Sequence, residues 1–106
     1  QMCIRDRIFI SCMDFKVDGL ILNNSSIKHK KNLNGGISGN YIREISEKNL
    51  MFAKDFCGDK ISLISSGGIM TAKDVAKRID LGAELIQLYS GFIFSGTDLL
   101  KESLEI

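Results

Sequence analysis

Polar side chains that could bind a small ligand are concentrated after the apolar run at residues 19–22. Asn23-Asn24-Ser25-Ser26 follows that run directly. An Asn side chain presents a hydrogen-bond donor and an acceptor side by side, and Ser adds a hydroxyl group. The cluster could therefore hold a planar ligand with amide and carboxylate edges. An Asx-type turn is the alternative interpretation of the same residues.

Glycine-rich segments form a second group of candidates. Gly35-Gly36-Ile37-Ser38-Gly39 would let backbone N–H groups approach an anion without interference from Cβ atoms. Ser65-Ser66-Gly67-Gly68-Ile69 leads into a predicted helix, whose N-terminus would reinforce the binding of a phosphate. Tyr89-Ser90-Gly91 is a further turn of small residues after an apolar run. Plain tight turns are the alternative for all three segments.

Strands and helices must bring these segments together. Short apolar runs at residues 19–22, 61–64 and 84–89 are typical of strands that are covered on both faces. A helix is predicted from Thr71, the expected N-cap, with Asp74 three residues later and a stop at Gly82. Its apolar stripe comprises Ala72, Val75, Ala76 and Ile79.

Further helices are predicted on either side of this unit. One begins with Ser46 as N-cap, places Leu50, Ala53 and Cys57 on one face, with Phe52 and Phe56 beside it, and ends at Gly58. Another begins near Thr97, and a less distinct one precedes Asp18. Strands that alternate with helices predict an α/β fold with a parallel sheet. Periodicity alone fits a small open sheet or three units of a (β/α)8 barrel.

Composition excludes several classes of protein. The chain has 106 residues, 44% hydrophobic and 25% charged, with a net charge of +1. Basic residues are spread along the chain, and Lys28-His29-Lys30-Lys31 is typical of a solvated loop, so we expect no nucleic-acid partner. Cys3, Cys12 and Cys57 form no metal-ligand or disulfide pattern.

Four motifs in order resemble the C-terminal portion of dihydroorotate dehydrogenases. They are Asp18-Gly19-x-Ile21-x-Asn23-Asn24-Ser25-Ser26, Gly35-Gly36-Ile37-Ser38-Gly39, Gly67-Gly68-Ile69 and Gly82-Ala83-x-Leu85-Ile86-Gln87-Leu88-Tyr89-Ser90-Gly91. The resemblance implies the last three βα units of a (β/α)8 barrel that binds FMN and oxidises dihydroorotate to orotate in pyrimidine biosynthesis. Residues 8–106 would form this portion, and residues 1–7 match no motif and are set aside as an unassigned leader.

The resemblance also implies roles for individual residues. Asn24 and Ser25 resemble the orotate-binding pair, and Asn23 resembles a flavin contact. The remaining implied flavin contacts are Gly39, Gly68, Tyr89 and Ser90. Tyr89-Ser90 resembles the quinone-reducing class, which associates peripherally with the cytoplasmic face of the bacterial inner membrane or with the mitochondrial inner membrane.

Some features of the family have no counterpart in this chain. The catalytic base, the flavin-contacting Lys and the first five strands are missing, so no residue here is assigned as the base. The quinone would bind through the missing region. Two alternatives remain: another phosphate-binding barrel enzyme, such as a dihydrouridine synthase, and a noncatalytic half-barrel that binds phosphate or self-associates. The Asn-Asn-Ser-Ser cluster argues against the first of these.

Overall fold

Helices alternate with parallel strands in the fold, which is taken from a computed structural model. The structure describes residues 2–22 and 35–105, and for the first two of these only the backbone. The elements, in chain order, are α1 (Met2–Asp14), β1 (Gly19–Leu22), a 3-10 turn (Gly39–Ile42), α2 (Arg43–Cys57), β2 (Ser62–Ser66), α3 (Ala72–Asp80), β3 (Leu85–Gln87), α4 (Ser90–Ser95) and α5 (Thr97–Leu104).

The three strands form one parallel sheet with β2 in the centre. Gly19 of β1 pairs with Ser62 of β2, and Ile64 of β2 pairs with Leu85 of β3. Parallel strands place their carboxyl ends at the same edge of the sheet, so the segments that follow β2 and β3 emerge side by side. The three predicted strands and their parallel arrangement are confirmed, although β3 ends at Gln87.

Helix α2 covers one face of this sheet. Leu50, Ala53 and Cys57 are buried on the predicted face and join a core that includes Leu22 and Leu63. Gly58 ends the helix with a φ of +58°. The apolar face of α2 and its C-terminus are therefore confirmed.

Helix α1 packs against α2 and includes residues 2–7. Phe9 is buried, and its ring centroid lies 6.0 Å from that of Phe52 and 5.7 Å from that of Phe56. The Arg5 guanidinium lies 3.8 Å from the Phe52 ring centroid, a cation–π distance, and Nη1 donates to Asn49 Oδ1 at 2.6 Å. The helix predicted before Asp18 is confirmed.

The predicted N-cap of α2 is wrong. The helix begins at Arg43, and Ile42 is the residue before it, because the 3-10 turn Gly39–Ile42 continues directly into the helix. Such turns are common at helix N-termini and leave no extended position for a polar cap. Ser46 is buried inside the helix instead, and its hydroxyl donates to the Ser66 carbonyl at 2.8 Å.

Helix α3 confirms its predicted cap and corrects its predicted face. Thr71 and Asp74 form a reciprocal capping box, and Gly82 follows the helix with a φ of +112°. Val75 is buried as predicted, but Ile79 is 49% exposed. The buried position beside it is Arg78, which is fully enclosed because it hydrogen-bonds to groups beneath the helix.

Helix α4 follows β3 where only a turn was predicted. Its Gly91 packs against the Ile69 carbonyl so closely that a Cβ atom would overlap that oxygen. The absence of a side chain at this position lets the helix lie against the segment after β2. Helix α5 begins at Thr97, as predicted, and buries Leu99.

The described part of the chain forms a flat slab. Its principal extents are 39, 39 and 17 Å, and its radius of gyration is 14.3 Å, against about 13 Å for a compact domain of this size. Apolar side chains are exposed on the outer strands, with Ile21 54% and Leu85 62% exposed. The architecture is α/β, with a parallel sheet of the kind found in part of a (β/α)8 barrel.

Candidate functional site

A cavity of about 100 Å³ lies at the carboxyl ends of β2 and β3. It combines the segment after each strand with the start of the 3-10 turn. Four predicted flavin contacts are among the residues that line it: Gly39, Gly68, Tyr89 and Ser90. The structure therefore brings together residues that are up to 51 positions apart in the sequence, counting from Gly39 to Ser90.

The remaining predicted site residues lie outside the described part of the chain. These are Asn23, which was predicted to contact the flavin, and Asn24 and Ser25, which were predicted to bind orotate. Strand β1 ends at Leu22, immediately before them. Its carboxyl end lies at the same edge of the sheet as the cavity, because β1 runs parallel to β2.

Two serine hydroxyls meet across the cavity. Ser38 Oγ lies 2.5 Å from Ser90 Oγ, a hydrogen bond between the segment before α2 and the first residue of α4. Gly39 has a φ of +74°, and a Cβ atom there would lie 3.6 Å from Ser90 Cβ. This contact joins the first glycine-rich segment to the last, although the sequence motifs are far apart.

The Gly67-Gly68 turn forms the side of the cavity next to α2. Both residues have positive φ, +93° and +72°. A Cβ atom on Gly68 would overlap the backbone Cα and N atoms of Arg43, and one on Gly67 would lie 2.9 Å from Ile42 Cδ1. Glycine is therefore required so that the turn can pack on the start of α2.

The start of α3 is less available to an anion than the sequence predicted. The amides of Met70 and Thr71 donate to Asp74 Oδ2 at 2.9 and 3.1 Å, and the Arg43 guanidinium contacts the same oxygen at 3.1 Å. The Asp74 carboxylate thus already occupies the anion-binding position of this helix. Between β2 and α3, the residues that line the cavity are those that precede this helix start: Ser66, Gly67, Gly68 and Ile69.

A buried arginine lies behind the turn. Arg78 is fully buried and donates through Nη1 to Ser65 Oγ at 2.9 Å and to Ser46 Oγ at 3.0 Å. Burial lowers the pKa of Arg78, and the nearby Glu47 carboxylate opposes that shift. Arginine side chains nevertheless remain charged at neutral pH in proteins, because the guanidinium group delocalises its positive charge.

Sequence reasoning missed Arg78 and assigned Ser46 to the wrong role. The available signal was a single arginine next to the apolar stripe of α3, combined with two consecutive serines, Ser65 and Ser66, directly after an apolar run. A buried hydroxyl needs a partner. The spacing of residues along α2 cannot reveal that the partner of the Ser46 hydroxyl is Arg78, a residue of the next helix.

The dimensions and residues of the cavity suit a small anionic group. Its volume is well below the roughly 300–1,000 Å³ of sites that enclose whole drug-sized ligands. Glycine turns and hydroxyl groups are suitable partners for phosphate oxygens. Tyr89 is 76% exposed at the rim, so its ring can contact the rest of a larger ligand. The residues present therefore fit the phosphate of a flavin nucleotide.

Two other kinds of feature are absent from the described ranges, 2–22 and 35–105. Within them, no group of three or more His, Cys, Asp or Glu side chains is placed to hold a metal ion. None of the helices in that part of the chain is long and apolar enough to cross a membrane.

Comparison with protein families gives a match over nearly the whole chain. Residues 8–105 match the family model described as dihydroorotate dehydrogenase. The chain is 39% identical over 115 aligned positions to the dihydroorotate dehydrogenase (quinone) of Acinetobacter baumannii strain SDF, and 34% identical over 99 positions to that of Halorhodospira halophila. These alignments cover 99% and 87% of the chain but only 34% and 29% of the relatives, so it spans about a third of their length.

Solved structures agree with the sequence matches. The dihydroorotate dehydrogenase of Eimeria tenella superimposes with a TM-score of 0.87 in its ligand-free form and 0.85 in its complex with ferulenol. Sequence identity is 27% in both cases. The superpositions cover 94% of this chain and about 30% of each solved chain.

Proposed function

The chain belongs to the dihydroorotate dehydrogenase family, and we propose that it forms the part of a quinone-dependent enzyme that holds the phosphate of FMN beside the substrate site. The observation that carries this proposal is the cavity at the ends of β2 and β3. It gathers Gly39, Gly68, Tyr89 and Ser90 from three separate segments.

The substrate site in this proposal lies after β1. Asn24 and Ser25 would hydrogen-bond to the amide and carboxylate edges of dihydroorotate or orotate, and Asn23 would contact the flavin. A bound FMN would supply the acceptor for the hydride that leaves dihydroorotate. No residue of this chain is proposed to remove the substrate proton, and the catalytic base would come from the remainder of the enzyme.

The complete enzyme would pass its electrons to a quinone. We assign the quinone site to the part of the relatives that this chain does not cover. Peripheral association with the cytoplasmic face of a bacterial inner membrane, or with the mitochondrial inner membrane, is part of the same proposal. It rests on the family's quinone-dependent class, to which the curated relatives belong.

A charge change at Ser90 tests the phosphate site. Ser90→Asp in the complete enzyme places a carboxylate in the small cavity, while an acidic residue in the first turn of α4 is compatible with the helix. Two unit charges about 4 Å apart repel by roughly 4 kcal/mol near a protein surface, so we expect the Kd for FMN to rise at least ~100-fold. Titration of the apoprotein with FMN measures this.

Ser90→Asn is the matched control, because Asn has nearly the shape of Asp without its charge. We expect the Asn variant to retain FMN within roughly an order of magnitude of the parent, since a lost uncharged hydrogen bond costs only about 0.5–1.5 kcal/mol. Equal Kd values for the Asp and Asn variants would show that no phosphate binds beside Ser90.

Asn24→Ala tests the proposed substrate site separately. We expect orotate binding to weaken by about 0.5–1.5 kcal/mol, and more if the partner group stays buried and unpaired, while FMN remains bound. Orotate titration of the flavin absorbance in the complete enzyme provides the measurement. Identical orotate Kd values in variant and parent would remove Asn24 from the site.

A further inference from the structure

We propose that Arg78 is a positioning residue, which fixes the Gly67-Gly68 turn in the conformation that receives the FMN phosphate. This inference rests on the proposed function and adds to it a residue that does not line the cavity. Arg78 acts from behind the turn, where its side chain is fully buried. Arg78 does not contact the phosphate in this proposal. It affects phosphate binding through the protein groups that hold the turn.

The first connection runs from Arg78 to the end of β2. Its Nη1 donates to Ser65 Oγ at 2.9 Å and to Ser46 Oγ at 3.0 Å. The Ser46 hydroxyl in turn donates to the carbonyl of Ser66 at 2.8 Å. Ser66 immediately precedes the two glycines. These linked hydrogen bonds therefore fix the position of the residue at which the turn begins.

The second connection runs from Arg78 to the start of α2. Its Nη2 donates to the Arg43 carbonyl at 3.3 Å. The Arg43 backbone is the surface on which Gly68 packs, with no room for a Cβ atom between them. One guanidinium group therefore joins the strand before the turn to the helix beside it, and a planar group with several donors is suited to such a role.

The charged groups around Arg78 include a carboxylate that stabilises its positive charge. Glu47 Oε2 lies 3.8 Å from Arg78 Nε, and Glu47 Oε1 lies 3.2 Å from Lys77 Nζ. Arg43 pairs with Asp74. This group contains three cations and two anions, so it places a net positive charge behind a turn that is proposed to receive a dianion.

Stability alone gives little reason for this arrangement. Buried ion pairs can often be replaced by apolar side chains without loss of stability, because desolvation offsets much of their attraction. A methionine would fill a similar volume at position 78, but it would leave Ser46 and Ser65 without their donor. What an apolar residue could not supply is the fixed geometry of the turn.

The test compares FMN with riboflavin, which lacks the phosphate. Both Kd values are measured by flavin fluorescence on the apoprotein of the complete enzyme, for the parent, Arg78→Met, Arg78→Lys and Lys101→Met. We expect the parent to prefer FMN and Arg78→Met to lose at least ~10-fold of that preference. Arg78→Lys should restore most of it, because Lys supplies three donors and the charge. Lys101→Met removes an exposed cation of α5 that is not part of this charged group, and it should match the parent.

The possible results separate the inference from the proposed function. An unchanged preference for FMN in folded Arg78→Met, or an equal loss of affinity for both flavins, would overturn the role of Arg78 alone. A parent that does not distinguish FMN from riboflavin would overturn the phosphate site itself, and the inference with it.

A second variant keeps the test decisive if Arg78→Met does not fold. Ser46→Ala removes only the connection from Arg78 to the Ser66 carbonyl. We expect it to reduce the preference for FMN by roughly threefold or more, as the loss of one hydrogen bond predicts. A fully retained preference in Ser46→Ala would then overturn the inference.

Discussion

Gly68→Ala will destabilise the complete enzyme more than the same substitution at another glycine of positive φ. The Cβ atom would meet the Arg43 backbone, which cannot rotate aside as a side chain can. Overpacking of this kind costs about 1–3 kcal/mol, in addition to the roughly 1–3 kcal/mol for a side chain in strained backbone. The turn between β2 and α3 would have to move, and the cavity with it.

Gly58→Ala is the matched control for this prediction. Gly58 has a φ of +58°, but a Cβ atom there would have no neighbour within 4 Å. Only the backbone strain should appear, so the two variants should differ by about 1–3 kcal/mol in their free energies of unfolding. Urea unfolding of the two apoproteins measures the difference. Equal unfolding midpoints would mean that the turn does not pack against α2 as the structure has it.

The 106 residues expressed alone will show no dihydroorotate oxidation and little flavin binding. The outer strands carry exposed apolar side chains, Ile21 and Leu85, which neighbouring βα units of a closed barrel would cover. The cavity of about 100 Å³ can hold a phosphate but not a whole flavin. Oxidation also needs a positioned base, which we propose comes from the remainder of the enzyme. We expect self-association through the exposed strands.

Gel filtration followed by a measurement of flavin absorbance tests the predicted self-association and weak flavin binding. An assay of dihydroorotate oxidation with a quinone and a dye as electron acceptors tests the predicted lack of activity. The complete enzyme in the same buffer is the control for the assay. A monodisperse, yellow and active monomer would contradict the prediction. A colourless, well-folded monomer would contradict the expected self-association.

The sequence predicted those parts of the fold in which local patterns and burial agree. Strand β2 was recognised as a short, mostly apolar run, and the face of α2 that carries Leu50, Ala53 and Cys57 was recognised because apolar residues recur at the helical period. The cap at Thr71 was recognised because the capping box lies within four consecutive residues. The grouping of Gly68 with Ser90 followed from the rule that the carboxyl ends of parallel strands lie together.

What the sequence could not predict depends on contacts between distant elements. Ser46 resembled an N-cap, yet it is a buried link between α2 and the end of β2. Arg78 was not singled out in the sequence, yet the hydrogen bonds that it donates to two other elements hold it in the interior. Helix α4 was missed because Gly91 reads as a turn residue, whereas its close approach to Ile69 is a packing requirement.

A chimeric enzyme tests the central claim most directly. This chain would replace the matching third of the Acinetobacter baumannii dihydroorotate dehydrogenase (quinone), to which it is 39% identical. The measurement is the amount of FMN bound per purified protein chain. We predict a yellow chimera with close to one FMN per chain, which loses the flavin on Ser90→Asp and keeps it on Ser90→Asn. A folded, monodisperse chimera that binds no FMN would contradict the claim that this chain provides the phosphate site.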